Sequence, residues 1–114
     1  MVTIYHNPRC SKSRQTLQLL RDQGIEPEIV EYLKTPLTAE QLTALLTLLG
    51  MEVRNLLRTS EADYKENNLA NPELSAEQLI EAMVKMPKLM QRPIVVNGEK
   101  AAIGRPPEQV LDII

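Results

Sequence analysis

The sequence is poor in large aromatic residues and in residues that bind metals or form disulfides: its 114 residues include no Trp, no Phe, one Cys and one His. The core must therefore be aliphatic, built from Leu, Ile, Val and Met. A single Cys excludes an internal disulfide, and a free thiol indicates a reducing, cytoplasmic location. One Cys and one His cannot supply the four ligands of a usual zinc site, so we expect no metal and no bound cofactor.

Long apolar runs are also missing, since none approaches the roughly 18 residues of a spanning helix. The N-terminus has no basic segment, so the sequence predicts no signal peptide and no membrane association. The net charge of −2 gives no general attraction to nucleic acid. The apolar fraction of 43% and charged fraction of 25% are typical of a globular protein, and the length predicts a single domain over residues 1–114.

The first third of the chain predicts a βαβ unit. A short β-branched run, Val2 to Tyr5, is followed by a helical pattern over residues 11–23 that Gly24 ends. A second strand is expected at Glu28 to Tyr32. Two strands joined by one helix should be parallel with a right-handed crossover.

The middle of the chain predicts a helical insertion over about residues 38–85, with no strand inside it. Two capping boxes, one opening at Thr38 and one at Ser75, mark the starts of its main helices. Between these helices, residues 59–73 are polar and turn-prone, with Asn67-Asn68 and Asn71-Pro72 among them.

The last part predicts a hairpin and a closing helix. Ile94 to Val96 is the most strand-like run, and Asn97-Gly98 is a strong hairpin signal before a return strand at Ala101 to Ile103. A final helix with Val110, Leu111 and Ile114 is expected to close the fold. The order βαβ, helices, ββα predicts an α/β fold with a mixed four-stranded sheet.

The only cysteine, Cys10, lies where the first strand gives way to the first helix. Helix N-termini favour negative charge, and Arg9, Lys12 and Arg14 add three cations with no acid between residues 6 and 14. An ordinary thiol is only about 3% ionised at pH 7, and a helix dipole alone lowers its pKa by less than about one unit. A reactive thiolate would therefore also need nearby cations and hydrogen bonds from neighbouring serines.

A lone cysteine is often an inert core residue, but Pro8, the nearby cations and the two serines favour a chemical role here. Cys10 and Ser13 have the spacing of a thioredoxin-type redox pair whose second position is serine. Without a second thiol, an adduct on Cys10 must be resolved by an outside thiol. His6 has two open interpretations, a packing residue or a group that tunes the thiol.

Three arginines stand next to structural breaks: Arg58 after Leu57, Arg92 before Pro93, and Arg105 before Pro106. Guanidinium groups at element ends are suited to binding tetrahedral oxyanions. If all three met Cys10, they would hold a small dianion with its central atom at the sulfur. Any one of them alone is more typical of a solvated surface charge.

Four motifs in order resemble the glutaredoxin-coupled arsenate reductase family, particularly its shorter members. They are Ile4 to Arg14, Val53 to Arg58, Arg92 to Val96 and Gly104 to Glu108. The sequence departs from the best-known members at Arg9-Cys10-Ser11-Lys12-Ser13, where those have Ala-Cys-Gly-Thr-Ser.

The resemblance implies a thioredoxin-like fold, with a cis-proline at Arg92-Pro93 facing the active cysteine. It implies Cys10 as nucleophile, with His6 and Ser13 helping the thiolate, and Arg58, Arg92 and Arg105 holding arsenate. It also implies glutathione as co-substrate and glutaredoxin as partner.

Two other functions stay open on the sequence. One is different thiol–disulfide chemistry with glutathione-linked substrates. The other is a non-enzymatic role, because relatives of the family include transcription regulators that contact RNA polymerase. Those regulators commonly carry a second cysteine where this chain has Ser13, which counts against that role.

Overall fold

The computed structural model describes residues 2–91 and 93–114. These residues divide into two compact units. The sheet unit contains the described residues up to Thr35 and those after position 92, and the helical unit is Pro36–Gln91. The interpretation of the whole chain as a single domain stays a prediction.

The sheet unit is built on four strands in the order β2-β1-β3-β4. Strand β1 (Val2–Tyr5) pairs in parallel with β2 (Glu28–Val30) and antiparallel with β3 (Ile94–Asn97). Strand β3 in turn pairs antiparallel with β4 (Lys100–Ile103). The predicted mixed four-stranded α/β fold is therefore confirmed.

The prediction for β2 was two residues too long. The strand ends at Val30 because the amides of Lys34 and Thr35 both donate to the Glu31 carbonyl, at 2.9 Å each. The chain therefore turns at Glu31 instead of continuing to Tyr32. Local hydrogen bonds of this kind compete with the sheet ladder and leave no clear mark on the apolar pattern.

Helix α1 (Ser11–Asp22) buries one face against the sheet, as its sequence pattern predicts. Leu17 and Leu20 join Ile4 and Val95 in the core of this unit, with Val110 completing the cluster. On the same helix face, Ser13 and Thr16 are fully buried although both are polar. The sheet thereby fixes the rotation of α1 and the direction of its N-terminus.

The β3–β4 hairpin turns at Gly98-Glu99, where Gly98 has a φ of +61°. Asn97 remains in the strand, opposite Lys100. The closing helix is a 3₁₀ helix, Pro107–Ile113. Of the three apolar residues named for this helix, Val110 is fully buried, whereas Leu111 and Ile114 are 38% and 39% exposed. A 3₁₀ helix repeats every three residues, so it presents a narrower face to the core than the α-helix assumed from the sequence.

The helical unit contains four α-helices and a 3₁₀ turn among its described residues: α2 (Ala39–Leu49), α3 (Val53–Leu56), α4 (Ala62–Glu66), α5 (Ala76–Lys85) and Pro87–Leu89. Both predicted capping boxes are present, at the starts of α2 and α5. Helix α4 lies in the polar, turn-prone segment, and none of its residues is buried, so no apolar periodicity in the sequence predicts it. Within residues 2–91 and 93–114, no helix is both long and apolar enough to cross a bilayer.

Candidate active site around Cys10

Cys10 is the N-cap residue of α1, with extended backbone angles (φ −92°, ψ 124°). Its amide donates to the Asn7 carbonyl at 3.0 Å, and its own carbonyl accepts from the Arg14 amide at 3.0 Å. The thiol is not in a disulfide, and the residue is 9% exposed. The first turn of the helix carries no acidic residue. The sulfur therefore lies beside the positive end of the helix, with no carboxylate in that turn to oppose ionisation.

Arg105 reaches this sulfur from the other end of the chain. Its Nη2 atom lies 3.7 Å from the Cys10 Sγ, although 95 positions separate the two residues. The sheet makes this approach possible, since Arg105 follows the end of β4 by two residues and Cys10 follows β1 by a short loop. A guanidinium at this distance favours the thiolate over the thiol by charge and by a donated hydrogen bond.

His6 and Ser13 form a buried polar pair below the Cys10 loop. The His6 Nδ1 and Ser13 Oγ atoms are 2.6 Å apart, and the residues are 6% and 0% exposed. The Asn7 amide donates to the same Ser13 Oγ at 3.0 Å. The geometry thus brings together His6, Ser13 and the backbone that leads to Cys10, while their effect on the thiol stays a prediction.

Burial lowers the pKa of His6 below its ordinary value of 6.5. Among charged neighbours, Glu31 acts in the opposite direction, while Arg21 and Arg14 add to the lowering. His6 is therefore neutral at pH 7, and its ring and the Ser13 hydroxyl share a single hydrogen bond. If Nδ1–H donates, the Ser13 hydroxyl proton is left for another acceptor; if Ser13 donates, Nδ1 is the acceptor.

Asn7 has a larger structural role than the sequence analysis gave it. Besides the contact from its amide to Ser13, its side-chain Oδ1 accepts from the Arg9 amide at 3.0 Å. Its carbonyl accepts from Cys10, so one residue fixes three points of the loop. The Asn-Pro dipeptide was a usable signal, because asparagine before a turn commonly bonds the amide two residues on.

The remaining two arginines are not placed at the sulfur by these observations. Arg58 lies in the helical unit, where it forms an ion pair of 3.1 Å with Glu61 and its amide donates to the Leu89 carbonyl at 2.7 Å. Arg92 lies outside the described residues, so the peptide bond expected to be cis between Arg92 and Pro93 lies outside them too. A cis peptide bond is present at Arg105-Pro106. Roles for Arg58 and Arg92 stay predictions.

Residues 2–91 and 93–114 contain no cluster of three or more His, Cys, Asp or Glu side chains that could hold a metal ion. The chemistry of the described site rests on a thiol, a neutral imidazole, a hydroxyl and a guanidinium. Such a set can activate a sulfur nucleophile and stabilise negative charge beside it.

A mixed sheet of order β2-β1-β3-β4, with a cysteine at the N-cap of the first helix, defines a thioredoxin-like fold. The sequence matches the family model of the ArsC family over residues 5–113, and the chain belongs to that family.

Similar proteins agree with this assignment. The uncharacterized protein YfgD of Escherichia coli strain K12 is 62% identical over 99% of this chain and 96% of its own length. An arsenate reductase of Haemophilus influenzae is 48% identical, covering 99% of this chain and 98% of its own length. The solved structure of an arsenate reductase from Vibrio cholerae is 53% identical, with a TM-score of 0.98 over 99% of this chain and 97% of that one.

Proposed function

We propose that this protein reduces arsenate to arsenite, with the Cys10 thiolate as nucleophile and glutathione and glutaredoxin as the source of electrons. The single observation that carries the proposal is the Arg105 guanidinium at 3.7 Å from the sulfur of a helix N-cap cysteine. Relatives named arsenate reductase, at 48% and 53% identity over nearly the whole chain, support the choice of substrate.

The first step is attack of the Cys10 thiolate on arsenic. A sulfur–arsenic bond forms and an oxygen leaves as water, after gaining two protons. Arg105 is suited to two tasks, holding the thiolate before attack and then stabilising charge on the arsenate oxygens. Arg58 and Arg92 would complete the oxyanion site, as their motif positions imply.

Arsenic is then reduced from the +5 to the +3 state by two thiols. Glutathione attacks the Cys10 sulfur, the sulfur–arsenic bond breaks, and its electron pair leaves with arsenic as arsenite. Cys10 and glutathione are now joined in a mixed disulfide, which accounts for the two electrons. A glutaredoxin thiol attacks the glutathione sulfur and restores the Cys10 thiol. An outside thiol is needed because the chain has one cysteine.

The Ser13–His6 pair supports the thiolate in this scheme. Ser13 lies in the first turn of α1, three residues after Cys10, and neutral His6 can donate Nδ1–H to its oxygen. The Ser13 hydroxyl proton is then available to a negatively charged acceptor. Selection of arsenate over phosphate, which has nearly the same shape, comes from the sulfur step, because arsenic is more open to thiolate attack than phosphorus.

The test is arsenate-dependent oxidation of NADPH in the presence of glutathione, glutaredoxin and glutathione reductase. We expect activity with the wild type, none with Cys10→Ser, and full activity with Lys100→Ala, an exposed lysine on β4 that serves as a matched charge control. Activity that survived Cys10→Ser, or a wild type inactive with arsenate, would refute the proposal.

A second function, exchange with glutathione-linked disulfides, is favoured by one specific observation. The Arg105 guanidinium lies 3.7 Å from the sulfur, and a cation at this place can pair with the carboxylate of a peptide thiol. The same coupled assay with a glutathione mixed disulfide in place of arsenate measures this activity directly. A wild type active on the disulfide and inactive on arsenate would select this alternative.

A further inference from the structure

Gly104 is the residue before Arg105, and it differs from the other three glycines of the chain. Gly24, Gly50 and Gly98 have positive φ values and open space where a Cβ would stand. Gly104 has no positive φ, so any residue could adopt its backbone conformation. What it lacks is room: a Cβ there would lie 2.5 Å from the Thr16 Oγ1 and 2.8 Å from the Pro93 Cγ.

Neither neighbour can easily give way. Thr16 is fully buried on α1, and its hydroxyl donates to the Lys12 carbonyl at 2.8 Å. Rotating this side chain would not help, because its methyl carbon is already 3.1 Å from the same point. On the other side, the Gly104 amide donates to the Pro93 carbonyl at 2.9 Å, which ties Gly104 to the proline that flanks it.

We propose that the contact of Gly104 with Thr16 is the spacer that sets the distance between Arg105 and Cys10. Thr16 and Cys10 belong to the same helix, six residues apart, and Gly104 and Arg105 are adjacent. The backbone before Arg105 therefore rests directly on the helix that carries the nucleophile at its N-cap. Gly104 and Thr16 are positioning residues that act through Arg105, and the inference rests on the proposed stabilisation of the Cys10 thiolate by that arginine.

The size of the effect follows from the distances. Ordinary van der Waals contact begins at about 3.4 Å, so a methyl group at position 104 must move away from Thr16 by about 1 Å. An equal displacement of Arg105 would lengthen its 3.7 Å approach to the sulfur beyond hydrogen-bond range. We expect Gly104→Ala to raise the pKa of Cys10 by about half a unit.

The experiment measures the pKa of Cys10 from its alkylation rate as a function of pH, in variants shown to be folded by circular dichroism. The variants are Gly104→Ala, Thr16→Ala, the two combined, and Gly104→Ala in an Arg105→Ala background. Removing the Thr16 hydroxyl and methyl makes room for the new Cβ, so the combined variant should recover much of the wild-type value. In the Arg105→Ala background the same Gly104→Ala change should have no further effect, because the group it displaces is gone.

Gly98→Ala is the matched control glycine. Its φ of +61° makes alanine strained there, while nothing lies within 4 Å of the added Cβ. This variant should lose thermal stability and keep the Cys10 pKa of the wild type. It therefore separates a general loss of stability from a displaced Arg105.

Four results decide between the spacer and its absence. A raised pKa in Gly104→Ala that falls again in the combined variant supports the spacer, and an unchanged pKa in a folded Gly104→Ala overturns it. If Gly104→Ala does not fold, a folded combined variant with a near-wild-type pKa supports the proposal, and a combined variant that also fails to fold overturns it. The readout contains no arsenate, so its failure is distinct from a wild type that is inactive in the arsenate assay.

Discussion

Replacing Arg105 with alanine tests the central electrostatic contact of the site. Two unit charges 3.7 Å apart interact by about 1 kcal/mol in water and about 4 kcal/mol at an effective dielectric constant of 20. Arg105 is an exposed residue, so the lower end of this range applies. Since one pKa unit corresponds to about 1.4 kcal/mol, we expect Arg105→Ala to raise the Cys10 pKa by about one unit.

Alkylation by iodoacetamide, an uncharged reagent, measures this pKa without a bias from the removed charge. At a pH below both values, a rise of one unit reduces the thiolate fraction about tenfold. The more basic thiolate is about threefold more nucleophilic, so the rate at that pH falls only about threefold to fourfold. The midpoint of the rate–pH curve is therefore a better readout than a single rate.

Two control variants make the result specific. Arg105→Lys keeps the charge and should preserve part of the lowering, whereas Lys100→Ala removes a positive charge elsewhere in the sheet unit and should preserve all of it. If Arg105→Ala shifted the midpoint no more than Lys100→Ala does, the proposed role of this guanidinium would be refuted.

Three other predictions concern pH dependence, helix capping and the Arg58 ion pair. Burial lowers the folded-state pKa of His6, so the unfolded chain binds more protons than the folded chain at pH values between that pKa and about 6.5. The free energy of unfolding should therefore fall as the pH drops through this window. Urea unfolding should show this fall in the wild type and not in His6→Gln. Thr38→Ala should lower the free energy of unfolding by about 1 kcal/mol, because the N-cap oxygen that accepts from the Gln41 amide is lost. Glu61→Gln should change stability by less than about 1 kcal/mol and lower the KM for arsenate, since it removes the carboxylate paired with Arg58.

Each of these has an outcome that would contradict it. Equal pH dependence in wild type and His6→Gln would mean that His6 does not titrate differently on unfolding. Thr43→Ala is the control for the cap, since this exposed threonine inside α2 bonds the Ala39 carbonyl and should tolerate alanine; equal losses at both positions would deny a special role of the cap. An unchanged KM in Glu61→Gln would count against Arg58 as an arsenate ligand.

Sequence patterns were reliable where a local chemical rule governs the structure. Both capping boxes formed at the predicted residues, because their hydrogen bonds connect positions only three apart. Strand β1, helix α1 and the β3–β4 hairpin also appeared as expected. The pattern was less reliable at β2 and at the last helix, where competing turn hydrogen bonds and a 3₁₀ repeat changed which residues are buried.

The candidate site likewise has features that a local sequence pattern predicts and features that it does not. The candidate site around Cys10 was recognisable because a lone thiol, three cations and two serines lie together in the chain. The Asn7-Pro8 pair predicted only a turn, and it did not indicate the three hydrogen bonds that Asn7 makes in the Cys10 loop. The close contact of Gly104 with Thr16 had no sequence signal, since a glycine required for space looks the same as one required for a positive φ.

The sequence by itself determined that this protein has one thiol at the start of a helix, because helix and strand patterns and N-terminal charge preferences are short-range properties. Only the tertiary structure decided that Arg105 reaches that thiol and that His6 is buried beside Ser13. Those contacts depend on how four strands align and on how closely α1 packs against the segment after β4. Distances of a few ångströms between residues 95 positions apart come from packing, and no local pattern specifies them.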